Sequence, residues 1–355
     1  MSHQRERHGG REGTRNLARQ CRAGLSLAVM ALLLFAWGPA QAAEKVSLRL
    51  SFVPSGKDAI FFYTRELGLW QASGLQVEIG HTRGSLEVCQ FVGLNKDEFG
   101  IAEATTVMQS RAKGMPIRML GLQLPKTPVS LISKAKVAIR TPKDLEGKSI
   151  ALSIQSSTAV LLPAFLRQNG VDATRVALKN TPPGSILPVV LADRAEAAGL
   201  YAVSFLPAFK AQGWEEGRNL NVLRFGDHGF ERLLGVSIIT SEKIVRERPD
   251  LVRRFLPPLF EAIRRAMRDP DAAAASLRKQ QPELNISLPA IKEGLLESFR
   301  LMDTPEAREH TLGWIAPDKV HWTHDLLAEL KMLERRLSAE ELFTNEFLAG
   351  PPFQP

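Results

Sequence analysis

The chain has 355 residues and a formal net charge of +8, with 46 Lys and Arg against 38 Asp and Glu. Residues 1–42 contain six arginines and only two glutamates, so half of this excess lies there and the remaining 313 residues carry +4. Because the surplus is small and no basic run is interleaved with aromatic residues, the composition argues against nucleic-acid binding.

The first 42 residues have the pattern of a secretory signal peptide. The arginines precede a 13-residue apolar run, residues 25–37, which is followed by Ala40-Gln41-Ala42. An apolar run of this length is too short to span a bilayer, and the small residues match a cleavage site. The sequence therefore predicts export to the periplasm with cleavage after Ala42. An uncleaved membrane anchor is the alternative.

The rest of the chain is long for a single hydrophobic core, which predicts two lobes. After cleavage Cys89 is the one cysteine in the sequence, since Cys21 leaves with the signal peptide. No internal disulfide can then form, and Cys89 is predicted to be a small buried apolar residue rather than a nucleophile.

Strands and helices alternate in the first part of the exported chain. Strands are predicted at residues 46–52, 75–79, 98–102 and 117–122, and helices at 58–67, from 85 to about 95, and from the capping residues Thr105 and Thr106 to Gly114. This alternation predicts a mostly parallel sheet with helices on both faces. Ligands bind such sheets beyond the carboxyl ends of the strands.

Two crossing segments divide the chain. Residues 121–128, which contain two prolines, lead into a second set of strand–helix units that continues to about residue 225, and residues 226–229 lead back. A returning strand is predicted at 236–240, followed by helices at 242–247, 249–267, 271–279, 286–301 and 317–337. We therefore expect a hinged clamp with lobe 1 at 43–125 plus 233–355 and lobe 2 at 126–232.

The stretch from 141 to 201 carries the most distinctive polar turn. A short helix at 141–147 and a buried strand at 149–154 precede Gln155-Ser156-Ser157-Thr158, where a helix begins that runs to Asn169. Hydroxyl groups and free amides at a helix N-terminus favour a carboxylate, sulfonate, phosphate or polar ring edge. Ordinary capping of the helix by Ser and Thr is the alternative.

Several short motifs occur in a characteristic order. They are Phe52-Val53-Pro54, 66–78 (ELGLWQASGLQVE), 98–102 (EFGIA), 141–148 (TPKDLEGK), 162–166 (LPAFL) and 342–347 (LFTNEF). With these motifs the chain resembles the type II periplasmic solute-binding proteins of ABC importers, in the branch that binds alkanesulfonates, taurine and thiamine-pyrimidine precursors. The resemblance covers nearly all of the chain after residue 42.

The resemblance implies a two-lobed α/β fold with extra C-terminal helices and a small solute held between the lobes. It also implies a monomer without cofactor or catalytic residues, which delivers the solute to a membrane permease driven by a cytoplasmic ATPase. The ligand-binding positions that it implies are Phe52, Ser55, Lys57, Asp58, Gly84, Ser85, Thr105, Thr106, Ser156, Ser157, Thr158 and Tyr201.

The chemistry of these residues suits a small organic solute that is anionic or heteroaromatic. Phe52 and Tyr201 can wall a flat ring, and Lys57 can neutralise an anion. A solvated surface pair of Lys57 with Asp58 is the alternative for that lysine. We expect the solute to be captured by lobe closure, bridging Thr105 and Thr106 on one lobe and Ser156–Thr158 on the other.

Two other functions remain open at this stage. An enzyme that processes pyrimidine precursors on the same fold is one, although the fungal members carry a cysteine cluster and a sacrificial histidine, whereas Cys89 is alone here. His321 and His324 lie three residues apart, but no third zinc ligand is evident, which favours a surface pair over a metal site. An exported ligand-sensing module is the other.

Overall fold

The computed structural model describes residues 43–354 and contains two five-stranded sheets. The first has the order β2-β1-β3-β10-β4, with β1 Glu44–Leu50, β2 Leu75–His81, β3 Phe99–Glu103, β4 Ile117–Lys126 and β10 Leu234–Ser241. The second has the order β7-β6-β8-β5-β9, with β5 Val129–Lys134, β6 Ser149–Leu152, β7 Ala177–Asn180, β8 Ala197–Tyr201 and β9 Leu220–Arg224.

Each sheet has four strands in one direction and one strand reversed. In the first sheet β10 is antiparallel to both of its neighbours, while β1 is parallel to β2 and β3. In the second sheet β5 is antiparallel to both neighbours, while β6 is parallel to β7 and β8. The carboxyl ends of the parallel strands therefore gather at one edge of each sheet, as the alternating sequence pattern predicts.

Helices flank both sheets. They are α1 Ala59–Glu66, α2 Leu69–Ala72, α3 Ser85–Gly93, α4 Ala104–Ala112, α5 Ser157–Gln168, α6 Ile186–Leu191, α7 Ala202–Lys210, α8 Glu242–Glu247, α9 Pro249–Arg268, α10 Pro270–Gln280, α11 Leu288–Met302, α12 Pro305–Glu309, α13 Pro317–Glu329 and α14 Ala339–Leu342. The predicted α/β fold with extra C-terminal helices is confirmed.

Stacked aromatic side chains fill the space between each sheet and its helices. In the first sheet Phe99 of β3 stacks on Phe255 of α9 with ring centroids 3.7 Å apart, and Trp70 stacks on the same ring at 5.2 Å. In the second, Phe165 of α5 stacks on Phe225 at 3.8 Å. These rings have large apolar surfaces, so burying them contributes strongly to holding the helices on the sheets.

Two local predictions are wrong. Thr105 and Thr106 do not cap α4, because Glu103 has the extended backbone of the N-cap residue and the helix has already begun at Ala104. The helix predicted at 317–337 ends at Glu329, and Lys331 follows with a φ of +54°. A left-handed residue at that position is incompatible with a continuing α-helix.

The chain passes from the first sheet to the second through residues 127–128 and returns through residues 225–233. The first crossing is shorter than the predicted segment 121–128, because β4 continues to Lys126, whereas the return includes the predicted residues 226–229. The assignment of exact lobe boundaries stays a prediction. The signal peptide predicted at 1–42 lies outside the described residues. Within residues 43–354 no helix combines the length and apolarity needed to cross a membrane.

Candidate solute-binding site

A cavity of about 40 Å³ lies where the two sheets face each other at the ends of their strands. The wall that we call the first wall consists of the segment after β1 and the start of α3. The opposite wall, which we call the second wall, consists of the start of α5 and the junction between β8 and α7. The lining residues are Ser51, Phe52, Val53, Ser55, Lys57, Gly84 and Ser85 from the first wall, and Ser156, Ser157, Thr158, Gly199, Leu200, Tyr201, Ser204 and Phe205 from the second.

Nine of the twelve predicted ligand-binding residues line this cavity, and Asp58, Thr105 and Thr106 do not. Asp58 is turned away to accept hydrogen bonds from the backbone N–H and hydroxyl of Ser55, at 3.0 and 3.2 Å. The hydroxyls of Thr105 and Thr106 are buried in α4 and have no hydrogen-bond partner among residues 43–354. The hydroxyl that faces Ser157 across the cleft is that of Ser85.

Helix capping and cavity lining are combined at the start of α5. Ser156 is the N-cap residue, and its hydroxyl accepts a hydrogen bond from the backbone N–H of Ala159 at 3.2 Å. The capping interpretation is therefore confirmed for Ser156. Ser157 and Thr158 occupy the first turn and line the cavity, so their hydroxyls are free of the capping role.

The two walls touch at Gly84. A Cβ atom added to Gly84 would lie 1.9 Å from the carbonyl oxygen of Gln155 and 2.7 Å from the backbone nitrogen of Ser156. The φ of Gly84 is 164°, an extended conformation that any residue adopts, so close approach of the second wall is what requires glycine here. Nearby, the hydroxyl of Ser153 donates to the carbonyl oxygen of Arg83 at 2.9 Å.

Hydroxyl groups from both walls form a ring of hydrogen bonds with one carboxyl group. The backbone N–H of Glu103 donates to Ser85 Oγ at 3.0 Å, and Ser85 Oγ lies 2.9 Å from Ser157 Oγ. Tyr201 Oη donates to Ser157 Oγ at 2.9 Å and lies 3.5 Å from Glu103 Oε2. We call Ser85, Glu103, Ser157 and Tyr201 the cross-wall ring.

Sequence reasoning missed Glu103. It is fully buried, and burial raises the pKa of its carboxyl to about 8, partly offset by hydrogen bonds from Thr127 and Tyr201. Burial also raises the pKa of Tyr201 well above its ordinary value, with the nearby Glu103 carboxyl adding to the rise. The available signal was an acidic residue that ends the apolar strand at 98–102 immediately before a helix.

Lys57 and Asp58 form a buried ion pair beside the cavity. The relative exposure of the Lys57 side chain is 5 % and that of Asp58 is 2 %, and the ammonium group contacts Asp58 Oδ1 directly. Lys57 is therefore not a solvated surface lysine, although the pairing with Asp58 holds. The side-chain amide of Gln123 donates to the carbonyl oxygen of Lys57 at 3.0 Å, which ties this turn to β4.

Two aromatic rings close the other side of the cavity. Phe52 and Phe205 meet edge to face with centroids 5.9 Å apart. Phe205 and Ser204 were not predicted from the sequence; both follow Tyr201 in α7. The hydroxyl of Ser204 lines the cavity, is buried, and has no hydrogen-bond partner in the described part of the chain. A bound molecule could satisfy it.

The cavity is smaller than the roughly 300–1,000 Å³ of typical small-molecule sites. A molecule with an aromatic ring enters only when the walls separate or when Phe52, Tyr201 or Phe205 turns. The two walls are joined through crossing segments, and the predicted hinge motion about these segments would supply such a separation.

A larger cavity of about 510 Å³ lies on the other side of α7, against α11 and the first crossing segment. Four of the six charged side chains that line it form ion pairs with one another. Lys210 contacts Glu293 at 2.9 Å, and Arg224 binds Glu216 through two contacts of 2.5 and 2.6 Å. These ion pairs leave fewer groups directed at a solute than the smaller cavity offers.

The histidines and the cysteine noted in the sequence do not form a metal cluster among the described residues. Within the described residues no group of three or more His, Cys, Asp or Glu is arranged to hold a metal ion. His324 is not half of a surface pair, since it is buried and its Nε2 accepts a hydrogen bond from the backbone N–H of Leu337 at 3.0 Å. Cys89 is fully buried, as predicted, and burial raises the pKa of its thiol to about 12.

Two proteins with different named functions are similar to this chain over most of its length. The chain is 22 % identical to riboflavin-binding protein RibY of Chloroflexus aurantiacus over 86 % of this chain and 87 % of that protein. It is 20 % identical to the 4-amino-5-hydroxymethyl-2-methylpyrimidine phosphate synthase of Legionella pneumophila, over 87 % of this chain and 94 % of that protein.

Among solved structures, the alkanesulfonate-binding protein SsuA of Xanthomonas axonopodis pv. citri, bound to MOPS, superimposes with a TM-score of 0.66 at 17 % identity. The match covers 85 % of this chain and 99 % of SsuA. At that identity the likeness shows a shared periplasmic-binding-protein fold. The family model described as NMT1/THI5 like matches residues 57–273, which is more than half of the chain. The chain therefore belongs to the NMT1/THI5 like family.

Proposed function

We propose that this protein is an exported receptor that captures a small organic solute between its two walls and delivers it to an ABC import permease. The observation that carries the proposal is the convergence of hydroxyl groups, a buried ion pair and aromatic rings from both sheets on one cavity. The relatives named as riboflavin-binding and alkanesulfonate-binding proteins support it. The signal-peptide pattern of residues 1–42 supports a periplasmic location.

The charges at the cavity favour an uncharged heteroaromatic solute over a sulfonate. Lys57 is the one ionisable cation among the described residues that line the cavity, and its charge is compensated by Asp58. A buried anion requires an uncompensated cation or several free donors, and because Ser85, Ser157 and Tyr201 are already bonded to one another, a sulfonate would be left poorly paired here. Hydroxyl groups and the rings of Phe52 and Phe205 suit the edge and faces of a neutral ring.

A thermal-shift screen followed by calorimetry tests this assignment. The probes are riboflavin, 4-amino-5-hydroxymethyl-2-methylpyrimidine and MOPS, because relatives are named for these chemistries. A true solute at a hundred times its dissociation constant stabilises the protein by about 2.7 kcal/mol, which raises the melting temperature by several degrees. We expect at least one ring compound to do so and MOPS not to. Stabilisation by MOPS alone would contradict the charge argument.

Variants then locate the site. Replacing Ser157 and Thr158 together by alanine removes two lining hydroxyls and should weaken binding of the stabilising probe at least tenfold, or about 1.4 kcal/mol. Ser185→Ala is the matched control, because Ser185 is exposed and its side chain makes no capping hydrogen bond. Equal affinity of the double variant and the control would remove Ser157 and Thr158 from the site.

The relative named as a pyrimidine phosphate synthase makes an enzyme the second candidate. The two functions differ in what happens to the bound molecule. A receptor returns its solute unchanged when the complex is denatured, whereas an enzyme returns a product, so mass spectrometry of the released molecule separates them. We expect the solute unchanged, since the described residues near the cavity offer no exposed thiol and Cys89 is buried.

A further inference from the structure

We propose that Glu103 is a positioning residue that locks the two walls together through the cross-wall ring, and that losing its proton releases them. Glu103 and Ser85 belong to the first sheet and its helix α3, whereas Ser157 and Tyr201 belong to the second sheet and its helix α5. The ring is therefore a connection between the sheets rather than within one of them. The proposal does not depend on the protein being a solute receptor.

The distances in the ring fit a neutral carboxyl group. A hydroxyl that donates to an ionised carboxylate lies about 2.5–2.7 Å from it. Tyr201 Oη instead lies 3.5 Å from Glu103 Oε2 and only 2.9 Å from Ser157 Oγ. The single proton of the tyrosine hydroxyl is therefore directed at Ser157, which leaves the carboxyl group to donate its own proton towards Tyr201.

The proton on Glu103 sets the direction of the whole ring. With a neutral carboxyl, Glu103 donates to Tyr201, Tyr201 donates to Ser157, and Ser157 donates to Ser85. With a carboxylate, which only accepts, Tyr201 turns its proton to Glu103, and Ser157 and Ser85 must reverse their hydroxyl groups to keep the ring. The cost of ionisation is therefore the buried negative charge, which is left between the walls without a cation.

The surroundings of Glu103 contain no compensating cation at contact distance in the described structure. Its pKa is raised to about 8 by burial, and the groups that lower it again are the hydroxyls of Thr127 and Tyr201. Thr127 donates to Glu103 Oε1 at 2.8 Å from the first crossing segment. Charged side chains on the elements packed around it are engaged elsewhere or exposed: Glu87 with Arg83, Arg111 with Glu242, Arg167 with the Leu330 carbonyl, Lys57 with Asp58, and Lys126 at the surface.

The sign of the pH effect follows from this burial. The joined walls hold the proton of Glu103 up to about pH 8, whereas an exposed carboxyl holds it only to about pH 4.5. The form with joined walls therefore binds more protons between these values, and it loses stability relative to the separated form as pH rises through that window. Above about pH 8 the loss is complete.

Hydrogen exchange measured on the full protein without any solute tests the proposal. The reporters are residues 83–87 and 153–157, which touch across the walls, with residues 46–50 of β1 as the internal reference. After correction for the intrinsic exchange rate, raising the pH from 6 to 9 should increase exchange of both reporters at least tenfold relative to the reference.

Four variants separate a positioning role from general stability. Glu103→Gln keeps a neutral donor and acceptor at the site, so its reporters should stay protected at both pH values. Glu103→Ala and Tyr201→Phe break the ring and should exchange rapidly at both. Glu196→Gln is the matched control, since Glu196 bonds Ser149 beside the second sheet, outside both reporters and the reference strand, and it should behave like the unmodified protein.

A pH effect that persists in Glu103→Gln, or protection of the reporters in Tyr201→Phe equal to that of the unmodified protein, would overturn the proposal. If Glu103→Ala does not fold, the comparison of Glu103→Gln with the unmodified protein still decides it. Because the measurement needs no solute, a failed solute screen leaves this result interpretable by itself.

Discussion

The contact at Gly84 provides a direct test of whether the two walls meet in solution. In Gly84→Ala the new methyl group would lie 1.9 Å from the Gln155 carbonyl oxygen, whereas ordinary contact begins near 3.4 Å. The obstacle is backbone, so it cannot rotate away. The walls must therefore separate by about 1.5 Å at this point.

That separation removes the hydrogen bonds beside Gly84. The Ser85–Ser157 and Ser153–Arg83 distances, both 2.9 Å, would stretch beyond hydrogen-bonding range, and the 3.4 Å contact from the Leu86 N–H to Gln155 would be lost. At about 1 kcal/mol each, these bonds are worth about 3 kcal/mol, or roughly a hundredfold in the equilibrium between joined and separated walls.

Small-angle scattering and hydrogen exchange measure this effect. Gly84→Ala should have a larger radius of gyration than the unmodified protein, and residues 83–87 and 153–157 should exchange faster, while the strands of both sheets stay protected. Gly184→Ala is the matched control, because no atom lies within 4 Å of its added Cβ and its φ is not positive. Unchanged scattering and exchange in Gly84→Ala would refute the reasoning.

Three further predictions concern the rest of the chain. Lys57→Met leaves Asp58 as an unpaired buried charge and should lower the free energy of unfolding, measured by denaturant titration, by about 3–5 kcal/mol. Lys57→Met combined with Asp58→Asn should lower it much less, and equal losses in the two variants would contradict this inference. Phe99→Ala removes the ring stacked on Phe255 and should cost about 3–5 kcal/mol in the same assay, with a loss below 1 kcal/mol arguing against that packing. The exported protein should begin at Ala43 by intact mass, and a mass that includes residues 1–42 would favour the membrane-anchor alternative.

The architecture could be predicted from the sequence because strands and helices that bury one face place apolar residues at a regular spacing. The strands at 46–52 and 75–79 and the helix at 249–267 were placed from such patterns, and the structure has them at Glu44–Leu50, Leu75–His81 and Pro249–Arg268. The predicted end of α13 was wrong because the left-handed backbone conformation of Lys331 could not be predicted from a lysine side chain.

The site was predicted in part for a similar reason. Turn residues such as Ser156–Thr158 and Gly84 follow strands in the sequence, so their place at the cleft could be inferred from topology alone. The pairs of hydroxyl groups that face each other could not be inferred in this way. Because the N-cap of α4 is Glu103, two or three positions before the predicted caps, Thr105 and Thr106 are buried within the helix, and Ser85 is the partner of Ser157. Glu103 was missed because a buried carboxyl leaves no periodic signal.

The hydrogen bonds of the cross-wall ring also constrain what a solute can gain. Ser85, Ser157 and Tyr201 already bond to one another, so a solute that inserts between them must replace those hydrogen bonds with its own. The hydroxyl of Ser204 differs, because it has no partner among the described residues and a bond to it is a net gain. Added affinity therefore comes from Ser204 and from apolar area buried against Phe52 and Phe205, at about 25 cal/mol per Å². A flat ring with one acceptor at its edge meets both requirements, and a compact sulfonate has little apolar area with which to meet the second.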